Sequence, residues 1–199
     1  MSTELNPSAV AAADYALAGL RPFPVAVTTS LDGRSNGLIS LSAGSAGIIR
    51  EAPRATISLT KYNLTHDLVL ESGVFAMHLL CGDEEVLNES LRIFMVLGGS
   101  SGRDGDKMSS LGTKPGVSGI PILTDALAYV EARVSGTLDN EENTIFVGDV
   151  IASERLRPKG RRLHITEAWD NLPPDWIEEY ERNHAGQLED AKRRRGFAP

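Results

Sequence analysis

Short runs that alternate apolar and polar side chains recur along this chain, most of them closed by a turn residue. Residues 25–30 (VAVTTS) are short and β-branched, Asp32-Gly33 supplies a two-residue turn, and residues 37–42 set Leu38, Ser40 and Ser42 against Ile39 and Leu41. Together they predict a hairpin. Residues 54–60 place Ala55, Ile57 and Leu59 on one face and Thr56, Ser58 and Thr60 on the other; residues 74–80 oppose Phe75, Met77 and Leu79 to Ala76, His78 and Leu80. Both patterns have the period of two that marks a strand. Strand character resumes over residues 127–138 and 144–156, with 140–143 as a polar turn.

Helical spacing interrupts this order twice. Residues 65–72 open on Thr65, a residue that caps helices, carry Leu68 and Val69 on one side and stop before Gly73. Residues 83–96 carry Val86, Leu87, Ile93 and Phe94 at helical spacing, continued by Leu97, with Asp83, Glu84 and Glu85 in the first turn where they complement the dipole. Residues 9–20 predict an amphipathic N-terminal helix, and 167–197, with Trp169, Pro173, Pro174 and Trp176, a terminal helical extension. Residues 98–119 are rich in Gly and Ser without apolar period and are expected to form a long surface loop. Short strands dominate and do not alternate with helices as βαβ units, so the expected fold is mainly β with flanking helices, an antiparallel barrel. Three segments are expected: 1–22, helical; 23–166, the barrel domain; and 167–199, the extension.

Composition narrows the function classes. A chain of 199 residues with 41% hydrophobic content can bury one sizeable core. The formal charge of −7 opposes sequence-independent attraction to nucleic acid, and the basic run 192–195 reads as a solvated helix end. A single cysteine, Cys81, leaves no intramolecular disulfide framework, and its neighbours Asp83, Glu84 and Glu85 would not lower its pKa. No apolar run approaches the roughly 20 residues that span a bilayer, and residues 9–20 contain Asp14 and lack a cationic stretch before them. The expectation is a soluble cytoplasmic protein with neither a membrane nor a nucleic-acid partner.

Candidate chemistry is sparse. There is neither a phosphate loop of the Gly-x-x-x-x-Gly-Lys-Ser/Thr type nor a Gly-x-Gly-x-x-Gly turn, and His66, His78, His164 and His184 lack the i, i+4 pairing of a helical zinc site, so no metal is expected. Gly98-Gly99-Ser100-Ser101-Gly102 matches Gly-x-Ser-x-Gly, with Ser100 or Ser45 and His66 or His78 as candidate hydrolase residues, but a helix precedes the serine where a nucleophile elbow needs a strand. Two segments suit a ligand better. Residues 36–40 (NGLIS) place a glycine beside polar residues on a strand, where backbone can approach a ligand, and Ser42 and Ser45 add hydroxyls. Residues 61–66 (KYNLTH) bring a cation, an amide and a hydroxyl to a helix N-terminus, which favours anions. On composition alone the first is also an ordinary half-exposed strand and the second a capped helix with a solvated lysine.

Four phrases in order, FPVAVTT with the Asp32-Gly33 turn, NGLISLSAGS, KYNLTHD and TIFVGDV, resemble those of the flavin reductase-like proteins, over roughly residues 23–156. The resemblance implies an FMN-binding split β-barrel, antiparallel and of Greek-key type. It also implies an FMN-dependent oxidoreductase that passes reducing equivalents from NADH, NADPH or another donor to free flavin or another small acceptor. A homodimer and a partner monooxygenase are further implications, and a non-catalytic flavin- or ligand-binding barrel is the alternative. The phrase at 36–45 would line the ring and ribityl chain and that at 61–65 would help hold the phosphate. The cofactor-binding positions implied are Thr29, Asn36, Gly37, Leu38, Ile39, Ser40, Ser42, Ser45, Lys61, Asn63 and Thr65; no catalytic side chain is assigned. The chain departs from the family at Glu141-Glu142-Asn143, where many members carry Gly-Asp-His, which bears on NAD(P)H use. It departs also at Glu51-Ala52-Pro53, in place of a double proline, and at Met108, which replaces Phe after the lysine of Asp104–Lys107.

Overall fold

Alternation splits each strand between two hydrophobic layers, and this decides how the chain closes. In the computed structural model, which describes residues 6–197, β1 (Val25–Leu31) sends Val25 and Val27 into one core and Ala26 into another. Residues 1–5 of the expected N-terminal segment and 198–199 of the expected extension lie outside the described residues. β1 pairs with β2 (Arg34–Ser40) through a tight turn in which Asp32 (φ 50°) and Gly33 (φ 80°) both take the left-handed conformation. A two-residue turn needs that conformation to match the twist of its strands.

The remaining strands are β3 (Ala43–Ser45), β4 (Arg54–Thr60), β5 (Val74–Leu79), β6 (Thr113–Pro115), β7 (Pro121–Leu123), β8 (Ala128–Asn140) and β9 (Asn143–Glu154). Seven of them form one sheet in the order β2-β1-β5-β8-β9-β4-β3, and every pairing recorded among the described residues is antiparallel. Register shifts in β8 at Glu131/Ala132 and Val134/Gly136 bend the long β8–β9 ribbon, as bulges do. The sheet curls into a half-barrel. Its interior holds Val25, Val27, Leu38, Ala55, Ile57, Leu59, Val69, Phe75, Ala132 and Phe146.

The helices are α1 (Pro7–Gly19), α2 (Leu64–Ser72), α3 (Leu87–Gly99), α4 (Ile165–Asn171) and α5 (Pro174–Arg194). α2 stops at Gly73 (φ 69°), whose N–H returns to Val69 O. α3 lays Leu91, Phe94 and Leu97 on the outer face of the sheet, in a second core with Ala26, Leu163 and Leu172. Two expectations need correction. α1 is not amphipathic against this molecule, since none of its residues is buried. Residues 98–119 are not a plain surface loop: a 3₁₀ turn at Met108–Ser110 and the β6–β7 hairpin lie within or start there, and Met108 and Leu111 join the second core. Strands of three residues are too short to display a period.

Buried polar groups pin the layers. The Glu131 carboxylate accepts the N–H groups of Val117 (2.9 Å) and Ser118 (2.7 Å) and the Ser118 hydroxyl, anchoring the loop before β7. His78 is wholly enclosed. Its Nδ1–H donates to Ala26 O (3.1 Å) and its Nε2 accepts the Leu123 N–H (3.1 Å), while burial pushes its pKa down to about 4. This imidazole is neutral and structural.

Candidate functional site

The N-terminal turn of α2 faces the inner edge of β2 because α2 packs across β1 and β2. Between them lies a cavity of about 550 Å³, within the range of small-ligand sites. One wall is β2 and the chain just after it, Asn36 to Ser42; another is the end of β4 and the start of α2, including Tyr62, Asn63, Leu64 and Thr65. Residues Gly98–Gly102, Asp104 and Lys107 form a third wall, and Glu179, Tyr180, Asn183, His184 and Gln187 of α5 a fourth. A smaller cavity of about 420 Å³, lined by Asp83, Glu85, Arg157 and Lys159, contains none of the implied cofactor positions.

Asn36 is the sharpest polar feature. It is 2% exposed, its Nδ2 donates to Thr65 Oγ1 (3.0 Å), and its Oδ1 has no hydrogen-bond partner among the described residues. A buried acceptor left unmade costs about 1–3 kcal/mol. Gly102 lies directly against this amide and would collide with it if it carried a Cβ. Thr65 stands in the first turn of α2, where helix N–H groups lack intrahelical partners. Asn63 is the N-cap residue, but its side chain donates to Thr60 Oγ1 (2.6 Å) and does not cap the helix. Ser40 Oγ accepts the Ser42 N–H (3.1 Å).

Among the implied cofactor positions, Asn36, Gly37, Leu38, Ile39, Ser40, Ser42, Asn63 and Thr65 meet on the cavity wall. Gly37 owes its missing Cβ to packing: an added methyl would lie 2.7 Å from Val27 O and 3.1 Å from Leu97 Cδ2, so the close approach is by neighbouring chain. Three positions stand outside the lining. Thr29 is buried, its hydroxyl donating to Val74 O (2.8 Å). Ser45 is exposed and donates to Gly47 O (3.3 Å). Lys61 gives its Nζ to both oxygens of Asp139 (2.7 Å each), and this pairing holds the Asp139 carboxyl below its usual range.

Other cations line the cavity. Arg21 reaches it from the N-terminal side, and Lys107 from the loop after α3. Lys107 Nζ donates to Leu97 O (3.0 Å) and Ser100 O (2.8 Å), closing the C-terminal end of α3, and burial pulls its pKa down to about 8. Behind Thr65, His66 connects the helix to the barrel: its Nε2 meets Thr144 Oγ1 (2.9 Å) and its Nδ1 meets Asp67 Oδ1 (3.0 Å). Arg103 also grips Asp67 (2.6 Å), so that despite the opposing effect of burial, the hydrogen bonds from His66 and Arg103 hold the Asp67 carboxyl below its usual range. This chain ties the loop over Asn36 to the start of α2.

The hydrolase constellation does not form. Ser100 donates to Val96 O (3.1 Å) and both nitrogens of His78 are taken by backbone. Cys81 is buried beside Asp83 (3.3 Å); burial and that carboxylate raise its pKa, the opposite of a reactive thiol. Sequence reasoning missed Arg21, Tyr62 and the whole α5 wall. The signal for α5 was present, because 179, 180, 183, 184 and 187 share one helical face.

Comparison with known proteins bears on this geometry. The flavin reductase like domain model matches residues 19–167. The high molecular weight rubredoxin of Moorella thermoacetica is 30% identical over 125 residues, 62% of this chain and 52% of that protein, so the chain spans about half that relative's length. The ferric-chelate reductase (NAD(P)H) of Archaeoglobus fulgidus is 28% identical over 132 residues, 66% of this chain and 74% of that protein. The crystal structure of an FMN-binding protein from Thermus thermophilus superposes with a TM-score of 0.60 at 23% identity, covering 71% of this chain and 76% of that one, a likeness of fold. With the family model spanning the half-barrel and the walls of the cavity up to α4, the chain belongs to the flavin reductase-like family.

Proposed function

We propose that this protein is an FMN-dependent oxidoreductase that passes reducing equivalents from NADH, NADPH or another donor through bound FMN to free flavin or another small acceptor. The observation that carries the reading is the buried Asn36 carbonyl oxygen, without a partner among the described residues, beside the α2 N-terminus in a cavity of about 550 Å³. The names of the family relatives, reductases among them, support the same activity.

The residues present fit FMN. Asn36 Oδ1 can accept a hydrogen bond from a ring N–H or a ribityl hydroxyl; Leu38, Leu59, Leu97 and Phe94 offer apolar wall for a flat ring. The first turn of α2, with Asn63 and Thr65, suits a phosphate, and Arg21 and Lys107 are the cations lining the same cavity. Lys61, which the resemblance places at the phosphate, is held by Asp139, so its contribution is the field of a neutralised pair. When bound, FMN supplies hydride and electron transfer that side chains here do not provide. The protein binds it, orients it and limits the access of water.

The molecule is further proposed to act as a homodimer and to deliver reduced flavin to a partner enzyme such as a monooxygenase. Large apolar side chains that face outward, Ile48 (98% exposed) and Tyr15 (85%) among them, support a second copy. Titration of ligand-stripped protein with FMN tests the central reading: saturable binding near one flavin per chain is expected, and no binding overturns it. Anaerobic mixing with NADH or NADPH then separates a catalyst from a flavin-binding barrel that does not turn over, the second reading that Asn143 favours.

A further inference from the structure

The cavity wall has two origins. Its β2, α2 and α3 sides fall within the family-matched residues 19–167, whereas α5 begins at Pro174. From α5, Glu179, Tyr180, Asn183, His184 and Gln187 line the cavity, and their spacing of one, three, one and three residues is a single helical face. No residue of α5 is fully buried, and Asn183 and His184 are exposed. This face is therefore open to a ligand and not sealed by packing.

Its rings form a stack that starts in the core. The Trp176 indole meets Phe94 edge-on (5.9 Å) and lies over Gly99, where a Cβ would come within 2.5 Å of Nε1. Tyr180 stacks on Trp176 (5.3 Å, 20°) and His184 on Tyr180 (5.9 Å, 5°). Among the described residues no aromatic ring covers the other side of His184. The helix is held in place by Asn183 Nδ2 donating to Gly99 O (3.2 Å), by Gly186 against the Tyr62 hydroxyl, and by Arg195 near Glu142 (3.4 Å). His184 is also the sole imidazole on the cavity wall among the described residues.

We propose that the α5 face centred on His184 is the subsite for the second ligand of the reaction, a planar nitrogen heteroaromatic ring that stacks on the imidazole and hydrogen-bonds to Gln187. It deepens the FMN reading and rests on it. The matched segment holds the cofactor; the extension decides what else fits beside it. A carboxylate on the same face, Glu179, disfavours an anionic ring and admits a neutral or cationic one. A nicotinamide ring and a second, free flavin ring share that chemistry.

The test loads the full chain with FMN and titrates it in two arms, with NAD⁺ and with lumichrome, following tryptophan fluorescence and checking FMN retention by ultrafiltration. His184→Ala should weaken binding in one arm by about tenfold, the scale of one lost stacking partner, while FMN affinity stays within about twofold. His184→Phe should restore most of the loss, and the arm affected identifies the source of the ring. Unchanged affinity in both arms, no probe binding to wild-type protein, or a parallel loss of FMN affinity each overturns the subsite. Wild-type protein that binds no FMN fails at the earlier step and overturns the cofactor reading itself.

Discussion

Asn36 and His78 are both buried polar side chains, and they differ in whether their hydrogen-bonding capacity is met. His78 has a backbone partner at each nitrogen, whereas the Asn36 amide oxygen has none among the described residues. An unmet acceptor is a cost the apo protein carries, and a ligand donor removes it. Asn36→Leu, close in volume, removes that unmet acceptor but also the Nδ2 donor to buried Thr65 Oγ1, so the two effects offset and apo stability in urea unfolding should change by no more than about 1 kcal/mol, while FMN affinity falls. A loss of several kcal/mol in the apo form would show that Asn36 is structural. Thr65→Ala should weaken FMN binding by about 1–3 kcal/mol through lost phosphate contact, measured by flavin fluorescence. For His78, the unfolded chain takes up a proton near pH 6.5 and the folded chain only near 4. Between those values the unfolded state binds more protons, so its stabilisation is complete above about 6.5 and is lost towards 4, about 3 kcal/mol in all. His78→Gln keeps a donor and an acceptor but cannot charge; its unfolding free energy should vary less over that interval, and parallel curves for the two proteins would exclude His78 as the cause. The pairing of His66 with Thr144, and the loss of Lys61 to Asp139, could not be read from the chain, because each partner of a long-range pair is an ordinary polar residue until the fold joins them.

At the scale of elements, periodicity found what it can find. Arg54–Thr60 is the strand its alternation predicts, and the Asp32-Gly33 turn joins β1 and β2 as its residue types require. Helix α2 starts one residue before Thr65, and α3 runs from Leu87 to Gly99 behind a 3₁₀ turn that takes the acidic residues. The order within residues 98–119 comes from contacts and leaves no period in the sequence: Met108 and Leu111 are single apolar residues docked on the core, with no neighbours in phase. Gly98 and Gly99, read as loop punctuation, belong to α3 and make room for Trp176. Gly99→Ala should push the indole aside at a cost of about 1–3 kcal/mol. That cost should be local, because α5 has no fully buried residue: protease should cut near residues 172–176 faster while the global urea midpoint hardly moves. Cooperative loss of the whole fold would mean that α5 is integral to the barrel.

For the whole molecule, the sheet order β2-β1-β5-β8-β9-β4-β3 brings residues from opposite ends of the chain to one cavity, from Arg21 to Gln187. The proposed homodimer should appear at about twice the chain mass in light scattering, and Ile48→Glu, at a side chain 98% exposed, should shift it towards the monomer without unfolding it. A monomeric wild-type protein would remove the dimer from the proposal. What the sequence by itself determined was the strand and helix periods and the turn at Asp32-Gly33, each carried by neighbours within a few residues, together with the four family phrases and the acidic charge, which need only the order and kinds of residues. Only the tertiary structure decided which of the implied positions share a cavity, that Lys61 is drawn off by Asp139, and that α5 brings Tyr180 and His184 to the site. Those outcomes depend on contacts between residues far apart in the chain, set by how helices and sheet bury their apolar faces against one another.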